Sequence, residues 1–142
     1  MMTTQNYKIL AKYIKDMSSE TPDIETYFFV KDYISKYQLK IDIVSKALKD
    51  KLIEINTVLK FQDERESEKK SHFEIVFATI IKVEDKIKEK KDFEKIILCD
   101  VQKEIYPKLE KIFLNIIKDS GFPNIKFTKK IDFENLYNKK LN

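Results

Sequence analysis

Apolar and polar side chains alternate with a period of two through much of the first half of the chain. Tyr37, Leu39, Ile41 and Ile43 share one parity, against Gln38, Lys40 and Asp42. Ile53, Ile55, Thr57, Leu59 and Phe61 stand against Glu54, Asn56 and Lys60. Phe73, Ile75, Phe77, Thr79 and Ile81 stand against His72, Glu74 and Ala78. Tyr7, Ile9, Ala11 and Tyr13 repeat the pattern in diluted form. Successive side chains of a strand point to opposite faces, so the pattern predicts four strands, near 7–15, 36–45, 52–62 and 70–83. The connections 45–51 and 63–70 are short enough for hairpins, which makes the last three strands an antiparallel meander. Neither connection holds a glycine, so tight primed turns are not expected. The second face carries Val44, Val58, Val76 and Ile80. It is either partly covered by a partner chain or simply a β-prone surface with scattered exposed valines.

Beyond Val83 the period changes. The segment 84–91 is mostly Lys, Glu and Asp, a solvated connection, and Asp92 can cap a helix starting there. Phe93, Ile96, Ile97, Val101, Ile105, Leu109, Ile112, Phe113, Ile116 and Ile117 then recur at steps of three and four. That is a wide helical stripe on a helix roughly 40 Å long. Pro107 lies inside it and predicts a kink, while Gly121 followed by Pro123 is a C-terminal stop. The helix is longer than one face of a four-stranded sheet needs, and the surplus apolar surface predicts burial between subunits. A last short helix over 133–141 has Asp132 as its cap and Phe133, Leu136, Tyr137 and Leu141 as its apolar side. The fold class is therefore α+β in one domain, 1–142: a four-stranded antiparallel sheet, one long helix and a short C-terminal helix.

Between the first two strands, the segment 16–25 holds Asp16, Glu20, Asp23 and Glu25 without a basic residue, and Tyr27, Phe28, Phe29, Val30 and Tyr33 follow. An acidic strip beside an aromatic cluster on a long loop is either a functional segment or a loop packing its rings into the core. Around it the chain is basic, with 28 Lys and Arg against 24 Asp and Glu, a net charge of +4. Arg65 alone is Arg, whereas a nucleic-acid reader ordinarily uses Arg for base edges and phosphate forks. The one glycine excludes glycine-built phosphate loops. No apolar run nears the ~20 residues of a membrane span, and the N-terminus lacks the basic-then-apolar order of a signal peptide. His72 is the one histidine and Cys99 the one cysteine. They offer no metal-ligand spacing and no internal disulfide, so no metal, cofactor or enzymatic role is expected, and Cys99 fits a reducing cytoplasm.

Four segments, in order, resemble the family of SecB preprotein-export chaperones. Lys12-Tyr13-Ile14-Lys15-Asp16-Met17-Ser18-Ser19-Glu20-Thr21-Pro22 is similar to that family's opening strand and loop. Ile105-Tyr106-Pro107 resembles the aromatic-proline step of its long helix. Gly121-Phe122-Pro123 and Ile131-Asp132-Phe133-Glu134-Asn135-Leu136-Tyr137 resemble its closing signature. The resemblance implies a homotetramer, a dimer of dimers with long helices at its centre. It implies a cytoplasmic protein that holds unfolded preproteins without ATP and delivers them to the motor SecA. It places the peptide-binding groove on Leu39, Ile41, Ile43, Leu136, Tyr137 and Leu141. To these we add Tyr27, Phe28, Phe29 and Tyr33 from their clustering; core packing is the competing role for each.

Acidic positions matching the family's motor-docking surface are Asp16 and Glu20, with Glu74 nearby. The chain departs from the family in having Glu74 where an apolar residue is usual and Val76 where an acid is usual. Ile80 and Ile81 replace a glycine pair, and the usual acidic balance is reversed. Two alternatives stand beside an export chaperone. One is a SecB-like chaperone devoted to a single client such as an antitoxin. The other, of a different class, is a Lys-rich nucleic-acid-binding protein, whose binding would fall steeply with salt.

Overall fold

The computed structural model describes residues 6–65, 69–123, 125–127 and 130–141, without the side chains of Lys140 and Leu141. Strands β1 (Tyr7–Glu20), β2 (Gln38–Ala47), β3 (Leu52–Gln62) and β4 (His72–Val83) form one antiparallel sheet in the order β1-β4-β3-β2. Helix α1 (Ile24–Tyr33) and a 3-10 turn (Ile34–Lys36) connect β1 to β2. After β4 a continuous helical run covers 90–119, made of α2 (Lys90–Lys95), a π-turn (Ile96–Asp100) and α3 (Val101–Asp119). Helix α4 (Phe133–Leu141) closes the described chain.

The core lies between one sheet face and the long helix. Ile55, Leu59, Phe73, Ile75 and Ile81 from the sheet meet Val101, Leu109, Phe113 and Ile117 from α3, all fully buried. Each such side chain contributes roughly 1.5–3 kcal/mol on leaving water. The meander of β2, β3 and β4 follows the register expected from the alternation, with Leu59 opposite both Ile41 and Ile75. Val58, Val76 and Ile80 on the opposite face are half-buried, and Val44 is exposed.

The first strand differs from its sequence pattern. It runs to Glu20, and register shifts leave Leu10 and Lys15 as extra residues. Each bulge reverses the parity of the residues beyond it. Ala11 and Tyr13 therefore stand opposite Ile80 and Ala78, on the outer face, rather than with Tyr7 and Ile9. Ile14 and Met17 return to the helix side, opposite Phe77 and Ile75, yet remain exposed.

Three further expectations are corrected. The segment holding Tyr27, Phe28, Phe29 and Tyr33 is helix, not loop; Asp23 caps it, with Oδ1 accepting the Thr26 N–H at 2.7 Å. The β2–β3 connection adopts the left-handed pair of a primed turn without glycine, at Asp50 (φ 60°) and Lys51 (φ 63°). Asp tolerates that region through local hydrogen bonding, and the twist of the flanking strands favours it. Asp92 lies in the first turn of α2, and Glu89 occupies the cap position without a side-chain bond. Helical structure continues through Pro107, and Ile96–Asp100 forms a π-turn.

The helix stop follows its sequence signal. Gly121 (φ 105°) lets the Phe122 N–H reach the Ile117 carbonyl at 3.2 Å and its own N–H reach Lys118 at 3.1 Å. These are the paired bonds that close a helix through a left-handed residue. Asp132 caps α4 as expected, its Oδ1 accepting from the Asn135 N–H at 3.1 Å.

Candidate functional site

An open cavity of about 970 Å³ runs between β2 and α4. The turn before β2 and the strand itself supply Ile34, Tyr37, Leu39 and Ile41. The floor is Phe61 of β3, and the far wall is Ile125, Phe127, Ile131 and Leu136. Leu39 and Ile41 point to the helix side of β2, which is an edge strand of the sheet. They stay half-buried, where the equivalent side chains of β3 and β4 are sealed.

Packed rings fix the floor. Phe61 lies 5.4 Å from Tyr37 and 5.6 Å from Phe127, and Phe127 lies 6.0 Å from Phe113 of the long helix. The Tyr37 hydroxyl accepts the Ser71 N–H at 3.1 Å, tying the wall to the β3–β4 connection, and burial pushes this phenol up from its ordinary pKa. Behind the wall the Phe29 and Tyr33 rings pair at 4.8 Å, with the Arg65 guanidinium 5.1 Å above Tyr33. Arg65 also grips buried Asp63 with two nitrogens, each at 2.8 Å from a carboxylate oxygen. These hydrogen bonds hold the Asp63 carboxyl below the usual carboxylate range. One cation thus joins the hairpin connection to α1.

The cavity gathers Leu39, Ile41 and Leu136 of the groove residues expected from sequence. Ile43 packs against the core further along β2. Tyr137 turns away, its hydroxyl donating to the Lys91 carbonyl at 3.1 Å. Leu141 has its side chain outside the described ones. Tyr27 is anchored elsewhere: its hydroxyl donates to the Gly121 carbonyl at 2.8 Å and its ring lies 5.2 Å from Phe122. Phe28 projects outward, 58% exposed, and Phe29 and Tyr33 back the wall without lining it. The cavity also takes Tyr37, Phe61, Phe127 and Ile131, which the sequence does not mark as groove residues. Ile125, Phe127 and Ile131 share one parity in a segment that reads as a plain connection, and that parity is the signal available.

The three acidic positions come together on the outer face of the sheet. Asp16 stands opposite Val76, Glu20 opposite His72, and Glu74 opposite Ser18 and Lys60. Asp16 and Glu20 are exposed and lie on β1 instead of in a loop. Glu74 is half-buried and pairs with Lys60 at 3.4 Å.

The comparisons with known proteins agree with this architecture. A family model described as preprotein translocase subunit SecB matches residues 2–142. A relative from Pelagibacter ubique (strain HTCC1062), named for SecB and protein export, is 60% identical over 139 residues, covering 98% of this chain and 99% of its own. A protein-export protein SecB of Bradyrhizobium sp. (strain BTAi1) is 24% identical, over 91% of this chain and 78% of its own. A solved Mycobacterium tuberculosis SecB-like chaperone, in complex with an antitoxin peptide, shares the fold with a TM-score of 0.61 at 9% identity, covering 88% of this chain and 91% of its own. The chain belongs to the SecB family.

Proposed function

We propose that this protein is an ATP-independent export chaperone that holds unfolded preproteins in the cavity between β2 and α4 and delivers them to SecA. The observation that carries the reading is an open trough whose lining is aliphatic and aromatic while its rim is polar. An unfolded chain offers apolar side chains and unpaired backbone whatever its sequence, and a trough of this kind takes them without reading order. Each side chain withdrawn from water contributes roughly 1.5–3 kcal/mol, less the cost of ordering the client. Several troughs on one assembly raise affinity through local concentration.

The assembly is a homotetramer. Supporting it, the edge strand β1 leaves Leu10, Ile14 and Met17 exposed, between 42% and 49%, on a strand with one unpaired side. Asp16, Glu20 and Glu74 form the surface for SecA, where acidic side chains speed encounter with a basic module and set its register. A single-client chaperone is the second reading, favoured by the antitoxin peptide held by the M. tuberculosis fold neighbour.

Leu136 is 39% exposed, so a polar replacement there leaves the core untouched. Leu136→Asp weakens capture of an unfolded apolar peptide by about tenfold or more, read by fluorescence anisotropy, with thermal stability retained. Unchanged affinity would remove the cavity from client holding.

A further inference from the structure

The rim of the same cavity carries Lys36, Lys126, Lys130 and Lys139, against one carboxylate, Asp132. All four lysines are exposed, and among the described residues none is in an ion pair. The neighbouring acids are engaged elsewhere. Asp132 accepts the Asn135 N–H at the start of α4, and Asp63 is held by Arg65. Lys36 lies 5.7 Å from the centre of the Tyr33 ring, which orients its stem without neutralising it. Among the described residues, a trough with an apolar floor therefore ends in four ammonium groups facing one carboxylate. Long lysine stems extend the apolar lining and keep their charges at the mouth, where they meet whatever flanks a bound apolar segment.

We infer that the trough selects extended polypeptide segments whose apolar residues are flanked by Asp or Glu, and discriminates against segments flanked by Lys or Arg. The inference rests on the holding function proposed above and adds a specificity to it. Charge complementarity names the occupant: acidic flanks gain at the rim, and basic flanks meet like charge there. A nucleic acid is the poorer fit. It needs exposed aromatic faces for base stacking, whereas Tyr37 and Phe61 in the floor are 7% and 4% exposed.

The test uses the full chain and three fluorescent peptides with one apolar core, flanked by Glu, Gln or Lys. At low salt the Glu-flanked peptide binds tightest and the Lys-flanked one weakest, about tenfold apart, and the gap closes at about 0.5 M salt as the rim is screened. Lys126→Glu with Lys130→Glu and Lys139→Glu reverses the order, and the triple Gln variant levels it. Equal binding of the three peptides to the unaltered chain at low salt would overturn the selectivity while leaving the trough as a holding site. Failure of all three to bind would overturn both. Displacement of the Glu-flanked peptide by single-stranded RNA, with saturation at one strand per trough, would overturn the inference in favour of a nucleic-acid site.

Discussion

Arg65 makes the most consequential single-residue contact outside the core. Its guanidinium satisfies a carboxylate that is 5% exposed and covers the Tyr33 ring behind the groove wall. Arg65→Ala leaves Asp63 without its cation and lowers stability modestly, since Arg65 itself is partly exposed. The pH dependence has a definite sign. The folded carboxyl lies below its unfolded value, so the contribution is complete above pH ~4 and is lost as pH falls through the depressed folded value. Urea midpoints of the two chains should be furthest apart near neutral pH and converge on acidification; a gap that widens toward acid would refute this. Gly121 is the other constrained position, since a Cβ there would come 2.9 Å from Tyr27 Cε1 at a φ no L side chain favours.

Among the elements, the long helix is tied to the sheet by a buried polar pair. The π-turn at Ile96–Asp100 disturbs the regular ladder, and Gln102 Nε2 donates to the Ile97 carbonyl at 3.1 Å. Gln102 Oε1 accepts from Thr57 Oγ1 at 2.9 Å, which pins the turn to the middle of β3. Gln102→Leu strands the Thr57 hydroxyl in the core and costs about 1–3 kcal/mol. Thr57→Val added to it costs less than the sum of the two single changes; strict additivity in denaturation would show that the pair is not coupled.

The same scale explains what the sequence discloses. β2, β3 and β4 are legible because one face of each is buried and the period of two survives intact. β1 is obscured by its two bulges, which switch parity at Leu10 and Lys15, and by the polar run Ser18-Ser19-Glu20, which resembles a loop. α1 is hidden because Tyr27, Phe28, Phe29 and Val30 are consecutive apolar residues, leaving no stripe with a helical period. Leu136 and Tyr137 look equivalent in sequence, yet neighbours on a helix diverge by about 100°, and one faces the trough while the other bonds the Lys91 carbonyl. The floor from Tyr37, Phe61 and Phe127 joins segments far apart in the chain, so no local pattern announces it.

At the scale of the whole molecule, an edge strand with exposed Leu10, Ile14 and Met17 is a surface that proteins ordinarily cover. Light scattering should give about four times the 17.0 kDa of one chain, and a monomer at micromolar concentration would remove the tetramer. On the function proposed above, the outer sheet face and the trough serve different partners, the first through carboxylates and the second through apolar side chains. Methyl NMR separates the two surfaces directly, because Leu39, Ile41 and Leu136 mark the trough while Val44, Val58 and Val76 mark the outer face. On adding an unfolded, unlabelled polypeptide, the methyl signals of Leu39, Ile41 and Leu136 should shift and those of the three valines should hold. Shifts confined to the valines, with the trough methyls unmoved, would contradict the account.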